Sequence, residues 1–112
     1  MQEKRQEKRF SKSRLLKKFH HCLIQVVPGV QISVEIVDVS RKGLGFTTIF
    51  PPEYFANKKK ILISPFRIKA DLIAEIRHIS EEEGKTRVGI ELADQENLKI
   101  YRKFINDTLY PG

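Results

Sequence analysis

The chain has 112 residues, 40% hydrophobic and 31% charged, with a formal net charge of +7 and one cysteine. This length suits a single domain, and the composition is that of a soluble globular protein, with no run near the ~18 apolar residues that a membrane span needs. The lone Cys22 excludes an intramolecular disulfide framework and fits a reducing cytoplasm, where it serves as a small apolar strand residue.

The charge is concentrated at the start. Residues 1 to 21 hold eight Lys or Arg against Glu3 and Glu7, while the remainder holds thirteen basic and twelve acidic residues. Residues 1 to 18 contain few apolar side chains and no regular period, and they lack the apolar stretch of a signal peptide. They read as a basic arm ahead of a single body, residues 19 to 112. Such an arm suits an anionic partner, or it is simply a solvated tail.

The body then alternates. FHHCLIQVV (19 to 27) is a β-rich run stopped by the turn dipeptide Pro28-Gly29. Val30, Ile32, Val34 and Ile36 point one way while Gln31, Ser33 and Glu35 point the other, a half-buried strand that pairs with the first as a hairpin. GFTTIF (45 to 50) is a third strand, ended by Pro51-Pro52. YFANKKK reads as a loop, and KILIS (60 to 64) is a fourth strand. Ile68, Ala70, Leu72, Ala74 and Ile76 alternate with polar residues along a fifth. EEEGK (81 to 85) is a polar turn, and TRVGIELA (86 to 93) is a sixth strand. From about residue 94 to 109 the period becomes helical, with Asp94 as N-cap and Leu98, Tyr101, Ile105 and Leu109 on one face. The expected fold is mainly β: a six-stranded antiparallel, split β-barrel whose open side is covered by one C-terminal helix.

Catalytic machinery is not legible. His20-His21-Cys22 looks like a metal cluster, but neighbouring strand side chains point to opposite faces and cannot converge on one ion. His78 stands alone. There is no phosphate-binding glycine loop and no Ser-His-Asp context, so the sequence reads as a non-enzyme without cofactor or metal.

Two short motifs remain. RQEKR (5 to 9) is R-x-x-x-R, and DVSRKG (38 to 43) is D-x-S-x-x-G. Together with the strand order and the closing RVGIEL block, they resemble the PilZ domain family, bacterial receptors for cyclic di-GMP. The resemblance covers nearly the whole chain. It implies a cytoplasmic receptor that changes shape or exposed surface on binding cyclic di-GMP and so regulates a downstream protein partner. Arg5 and Arg9 then present guanidinium forks to guanine N7 and O6 or to phosphate. Asp38 accepts from guanine N1–H and N2–H. Ser40 binds phosphate or shapes the turn, and Gly43 permits a positive φ or close approach of the ligand. Lys4, before the first arginine, and Arg14, in the basic stretch after the second, are additional candidate contacts.

Three alternatives stay open at this point. Asp38, Ser40 and Gly43 also suit an ordinary turn, and the arginines a solvated tail. A small basic barrel also suits RNA or DNA, although that role usually shows an aromatic platform. A ligand-free PilZ-like module that docks a protein is the third. If Asp38 serves a ligand alone, Asp38→Ala leaves the ligand-free stability unchanged.

Overall fold

The computed structural model describes residues 10–11, 20–65 and 71–109. Its strands are β1 (Phe10–Ser11), β2 (His21–Val27), β3 (Val30–Val39), β4 (Gly43–Thr48), β5 (Lys60–Pro65), β6 (Leu72–Glu82) and β7 (Lys85–Leu92), followed by helix α1 (Gln95–Leu109). The strands follow the order β1-β3-β2-β5-β6-β7-β4, and a further β3–β4 pairing closes β2 to β7 into a six-stranded antiparallel barrel. β1 is additional. It pairs with β3, Phe10 opposite Val39 and Ser11 opposite Asp38, beyond the stretch of β3 that β2 occupies. Periodicity could not announce it, because two residues carry no measurable alternation.

Alternation fills the barrel interior. Cys22, Ile24, Val34, Ile36, Phe46, Ile63, Leu72, Val88 and Ile90 are buried in one cluster. The expected loop at 54 to 60 contributes too: a short 3-10 helix (Pro52–Tyr54) delivers Phe55 into the core, 5.9 Å from the Phe46 ring. On α1, Tyr101, Phe104 and Ile105 are buried. Asp94 caps the helix as expected, accepting from the Asn97 backbone N–H at 2.8 Å and its side-chain amide at 2.7 Å. These two bonds hold its carboxyl below the usual carboxylate range. Among the described residues no helix is long and apolar enough to cross a membrane.

Several boundaries differ from the sequence reading. β3 continues through Asp38 to Val39, and β4 starts at Gly43, so the connection shrinks to Ser40-Arg41-Lys42. β6 runs on to Glu82, and the acidic turn reduces to Glu83-Gly84, both at positive φ (51° and 80°), as a two-residue hairpin loop demands. A bulge between Ile76 and His78 shifts the alternation within β6, which a period-two reading cannot anticipate. The expected inward residues Ile68 and Ala70 lie outside the described residues.

Candidate functional site

The end of β3 and the start of β4 carry the D-x-S-x-x-G residues. Val39 points into the core, so its neighbour Asp38 points outward, yet its side chain is only 14% exposed. The cause is Arg87 on β7, whose guanidinium donates to the Asp38 carboxylate. Arg87 lies two strands away, roughly 10 Å at ordinary strand spacing. Its side chain spans that gap over β4, where Asp38 faces Gly45 in register. A Cβ at Gly45 would sit 3.0 Å from Asp38 Oδ1, so a glycine here makes room for the carboxylate.

The same register line continues. Gly45 faces Gly89 on β7, and Gly89 faces His78 on β6. Two adjacent glycines, with Asp38 at one end and His78 at the other, form a shelf on the outer face of the barrel, Gly45 buried beneath the Asp38 carboxylate and Gly89 half-buried. Interior strand glycines commonly mark close approach of a ligand or of another backbone. Arg77, on the neighbouring outer surface, binds Glu75 at 2.9 Å and Glu91 at 3.3 Å.

The connection itself is tightly held. Ser40 is 2% exposed. Its N–H donates to the Gly43 carbonyl at 2.8 Å. Its hydroxyl accepts from the Lys42 N–H at 3.3 Å and donates to the Gly43 carbonyl at 3.4 Å. The Tyr101 hydroxyl of α1 donates to that same carbonyl, and the Leu92 N–H donates to the Lys42 carbonyl at 2.8 Å. Arg41 and Lys42 are left exposed at the tip.

These positions correct two expectations. Asp38 belongs to a strand rather than to the turn. Gly43 does not take a positive φ; among the described residues the glycines that do are Gly29 and Gly84. Gly43 is buried, and a Cβ there would stand 1.9 Å from the Ile90 carbonyl oxygen. What approaches Gly43 closely is therefore β7. The Ser40 hydroxyl bonds within the turn, to the Gly43 carbonyl and the Lys42 N–H.

Arg5, Arg9, Lys4 and Arg14 lie outside the described residues. Sequence reasoning missed Arg87, Gly45 and Gly89. Glycines inside two strand patterns were the available signal for the last two; nothing local distinguishes Arg87 from other strand cations. His21 is exposed and Cys22 buried, so the two point to opposite faces. Burial pushes the Cys22 thiol up to about 12.

The barrel is similar to solved structures. K. pneumonia MrkH, in complex with c-di-GMP, superposes with a TM-score of 0.69 at 14% identity, over 94% of this chain and 51% of that one. The PilZ domain of Escherichia coli YcgR, with c-di-GMP, gives 0.56 at 16% identity, over 92% and 88%. The Bacillus subtilis inhibitor of motility MotI gives 0.55 at 12% identity, over 91% and 49%. The chain thus spans about half the length of MrkH and MotI, but most of the YcgR domain. The sequence itself matches no protein-family model and no curated protein. The fold is PilZ-like.

Proposed function

We propose that this PilZ-like domain is a receptor for cyclic di-GMP and has no catalytic activity of its own. The observation that carries the reading is the pairing of β1 with β3. Phe10, the residue after Arg9, faces Val39, and Ser11 faces Asp38. The chain that follows the R-x-x-x-R motif therefore runs beside the D-x-S-x-x-G motif, although 29 positions separate Arg9 from Asp38 in the sequence. A solvated tail gives no reason for Phe10 and Ser11 to pair with the strand that carries Asp38.

The ligand's chemistry fits the surroundings. Cyclic di-GMP offers two anionic phosphates and two planar guanines. Arg41, Lys42 and Arg87 supply positive potential, and Gly89, half-buried and without a side chain, leaves room for a flat base beside the Asp38–Arg87 pair. Asp38, oriented by Arg87, accepts the guanine N1–H and N2–H donors, and Arg5 and Arg9 close over the ligand as forks. Ser40 acts by fixing the turn. Arm, ligand and barrel edge together form the surface that a downstream partner reads. Nucleic acid is the weaker reading, because the aromatic rings among the described body residues are buried or half-buried and offer no stacking platform.

Isothermal calorimetry with cyclic di-GMP tests the proposal. Arg9→Ala weakens binding by about 1–3 kcal/mol, and Arg9→Lys recovers little of it, since an ammonium cannot reproduce the bidentate fork. Wild-type affinity in the lysine variant would reduce the interaction to charge attraction. Absence of binding by the intact chain would refute the receptor reading altogether.

A further inference from the structure

In the closed ring, β5 stands opposite β4, three pairings away in either direction. The outer surface around β5 is therefore the flank facing away from Asp38 and the shelf. It is apolar at its centre. Leu23 on β2 is 41% exposed and Ile73 on β6 is 38% exposed, with Val27 and Val30 exposed at the adjacent hairpin tip. Leu62 on β5 faces Ile73 in register. A groove of about 280 Å³ lies beside them, bounded by Gln25, Pro28, Lys60, Leu62 and Ile73.

The charges around this centre are arranged in opposite senses at its two ends. Two residues before Leu62 comes Lys60, extended by exposed Lys58 and Lys59. Two residues before Ile73 comes exposed Asp71, which accepts from Ser64 at 2.5 Å. Because β5 and β6 are antiparallel, Lys60 and Asp71 fall on opposite sides of the Leu62–Ile73 pair, each about 7 Å from it along the strands. Glu75 and Asp94 also stand near Lys60, but Glu75 is engaged by Arg77 at 2.9 Å and Asp94 caps α1. Every strand of the ring is paired on both sides, so a partner at this flank gains no backbone edge and must pack by side chains.

An apolar centre flanked at equal distances by a cation and an anion is self-complementary about a two-fold axis. We propose that the β2–β5–β6 face is the interface of a homodimer, with Leu62 and Ile73 at the axis and Lys60 of each copy against Asp71 of the other. The few apolar side chains available make it a small interface, so association is weak and depends on concentration. Both shelves then face outward, away from the axis. The proposal does not depend on which ligand the shelf takes.

Sedimentation velocity across a wide concentration range, with native mass spectrometry, tests it. The intact chain dimerises as concentration rises, and Ile73→Glu, a change at an exposed position, holds it monomeric with an unchanged circular dichroism spectrum and melting temperature. Asp71→Lys and Lys60→Asp each weaken self-association at least tenfold. Mixing those two variants restores a mixed dimer, because each symmetric contact then holds one lysine and one aspartate. A chain that stays monomeric at every concentration overturns the proposal and leaves the face to a different protein. A dimer that survives Ile73→Glu, or single variants that fail to recover on mixing, overturns it as well.

Discussion

Replacing Asp38 by alanine removes a carboxylate that the Arg87 guanidinium holds, and the cost can be bracketed. Fully exposed pairs contribute about 0.2–1 kcal/mol, and breaking a fully buried pair costs about 3–5 kcal/mol. With side-chain exposures of 14% for Asp38 and 34% for Arg87, this pair lies between these limits. Asp38→Ala is expected to cost about 1–2 kcal/mol, since Arg87 can still turn toward solvent or toward Glu82 at 3.8 Å. In a domain of this size that lowers the melting temperature by about 4–8 °C. The expectation from sequence, that loss of Asp38 leaves the ligand-free protein unaffected, is thereby reversed. Arg87→Met keeps much of the stem and leaves the more buried partner without its cation, for a similar cost. Urea denaturation of wild type, both single variants and the double variant forms a cycle whose coupling energy should exceed about 0.5 kcal/mol. Under the receptor reading both single variants also bind cyclic di-GMP more weakly, Asp38→Ala by loss of the acceptor and Arg87→Met by loss of its orientation and of one cation. A coupling energy indistinguishable from zero would refute the ion pair, and with it the account of how Asp38 is oriented.

The two glycines of the turn and β4 should separate cleanly. Gly43→Ala, whose Cβ meets the Ile90 carbonyl at 1.9 Å, should be strongly destabilising because only backbone can yield; chemical denaturation reads this. Gly45→Ala, whose Cβ meets the movable Asp38 carboxylate at 3.0 Å, should cost on the order of 1 kcal/mol and chiefly reduce ligand affinity by calorimetry. Tyr101→Phe removes a buried donor to the Gly43 carbonyl and should cost about 0.5–1.5 kcal/mol, with faster hydrogen exchange at the Lys42 amide. Cys22, with its thiol pushed from 9.0 to about 12, should resist alkylation in the native protein. The unfolded chain ionises first, so this thiol's contribution is intact below pH 9 and is lost as pH rises toward 12, by about 1.4 kcal/mol per unit. Cys22→Ala should abolish that slope in denaturation midpoints.

The fold was largely legible because one face of each strand is buried and the other is wet. Cys22, Ile24 and Val26 alternate with His21, Leu23 and Gln25, and Val34 and Ile36 alternate with Ser33 and Glu35; these patterns named the strands before any pairing was known. Asp94 and Pro28-Gly29 were equally plain, since cap and turn chemistry is local. What failed was whatever depends on non-local geometry. The β6 bulge moves the alternation by one residue with no unusual residue type to announce it. Phe55, in a stretch read as loop, is fully buried because the space beside Phe46 needs filling.

The site divides along the same line. Asp38, Ser40 and Gly43 lie within six consecutive residues, so a motif could expose them, but a motif carries no information on what each residue touches. Arg87 is 49 positions from Asp38, and only the β3–β4–β7 register brings them together. That register explains the three glycines at once. Gly43 lets β7 approach the end of β4, Gly45 clears a path for the Arg87–Asp38 pair, and Gly89 leaves the adjoining floor open. A side chain at Gly45 would press on the carboxylate, and one at Gly89 would stand beside His78, 3.6 Å from its Cβ. Because Tyr101 and Ser40 both donate to the Gly43 carbonyl, the turn cannot shift without disturbing α1. A ligand held by the Asp38–Arg87 pair therefore rests on a strand end anchored from the turn, from β7 and from the helix. The segment with fewest pairings is β1, held by two residues, so binding is expected to register there rather than in the barrel. Hydrogen exchange with and without cyclic di-GMP should show protection gained at residues 5 to 11 and little change in β5 and β6. Protection spread evenly over the barrel, with none gained at the arm, would count against the arm as the responding element.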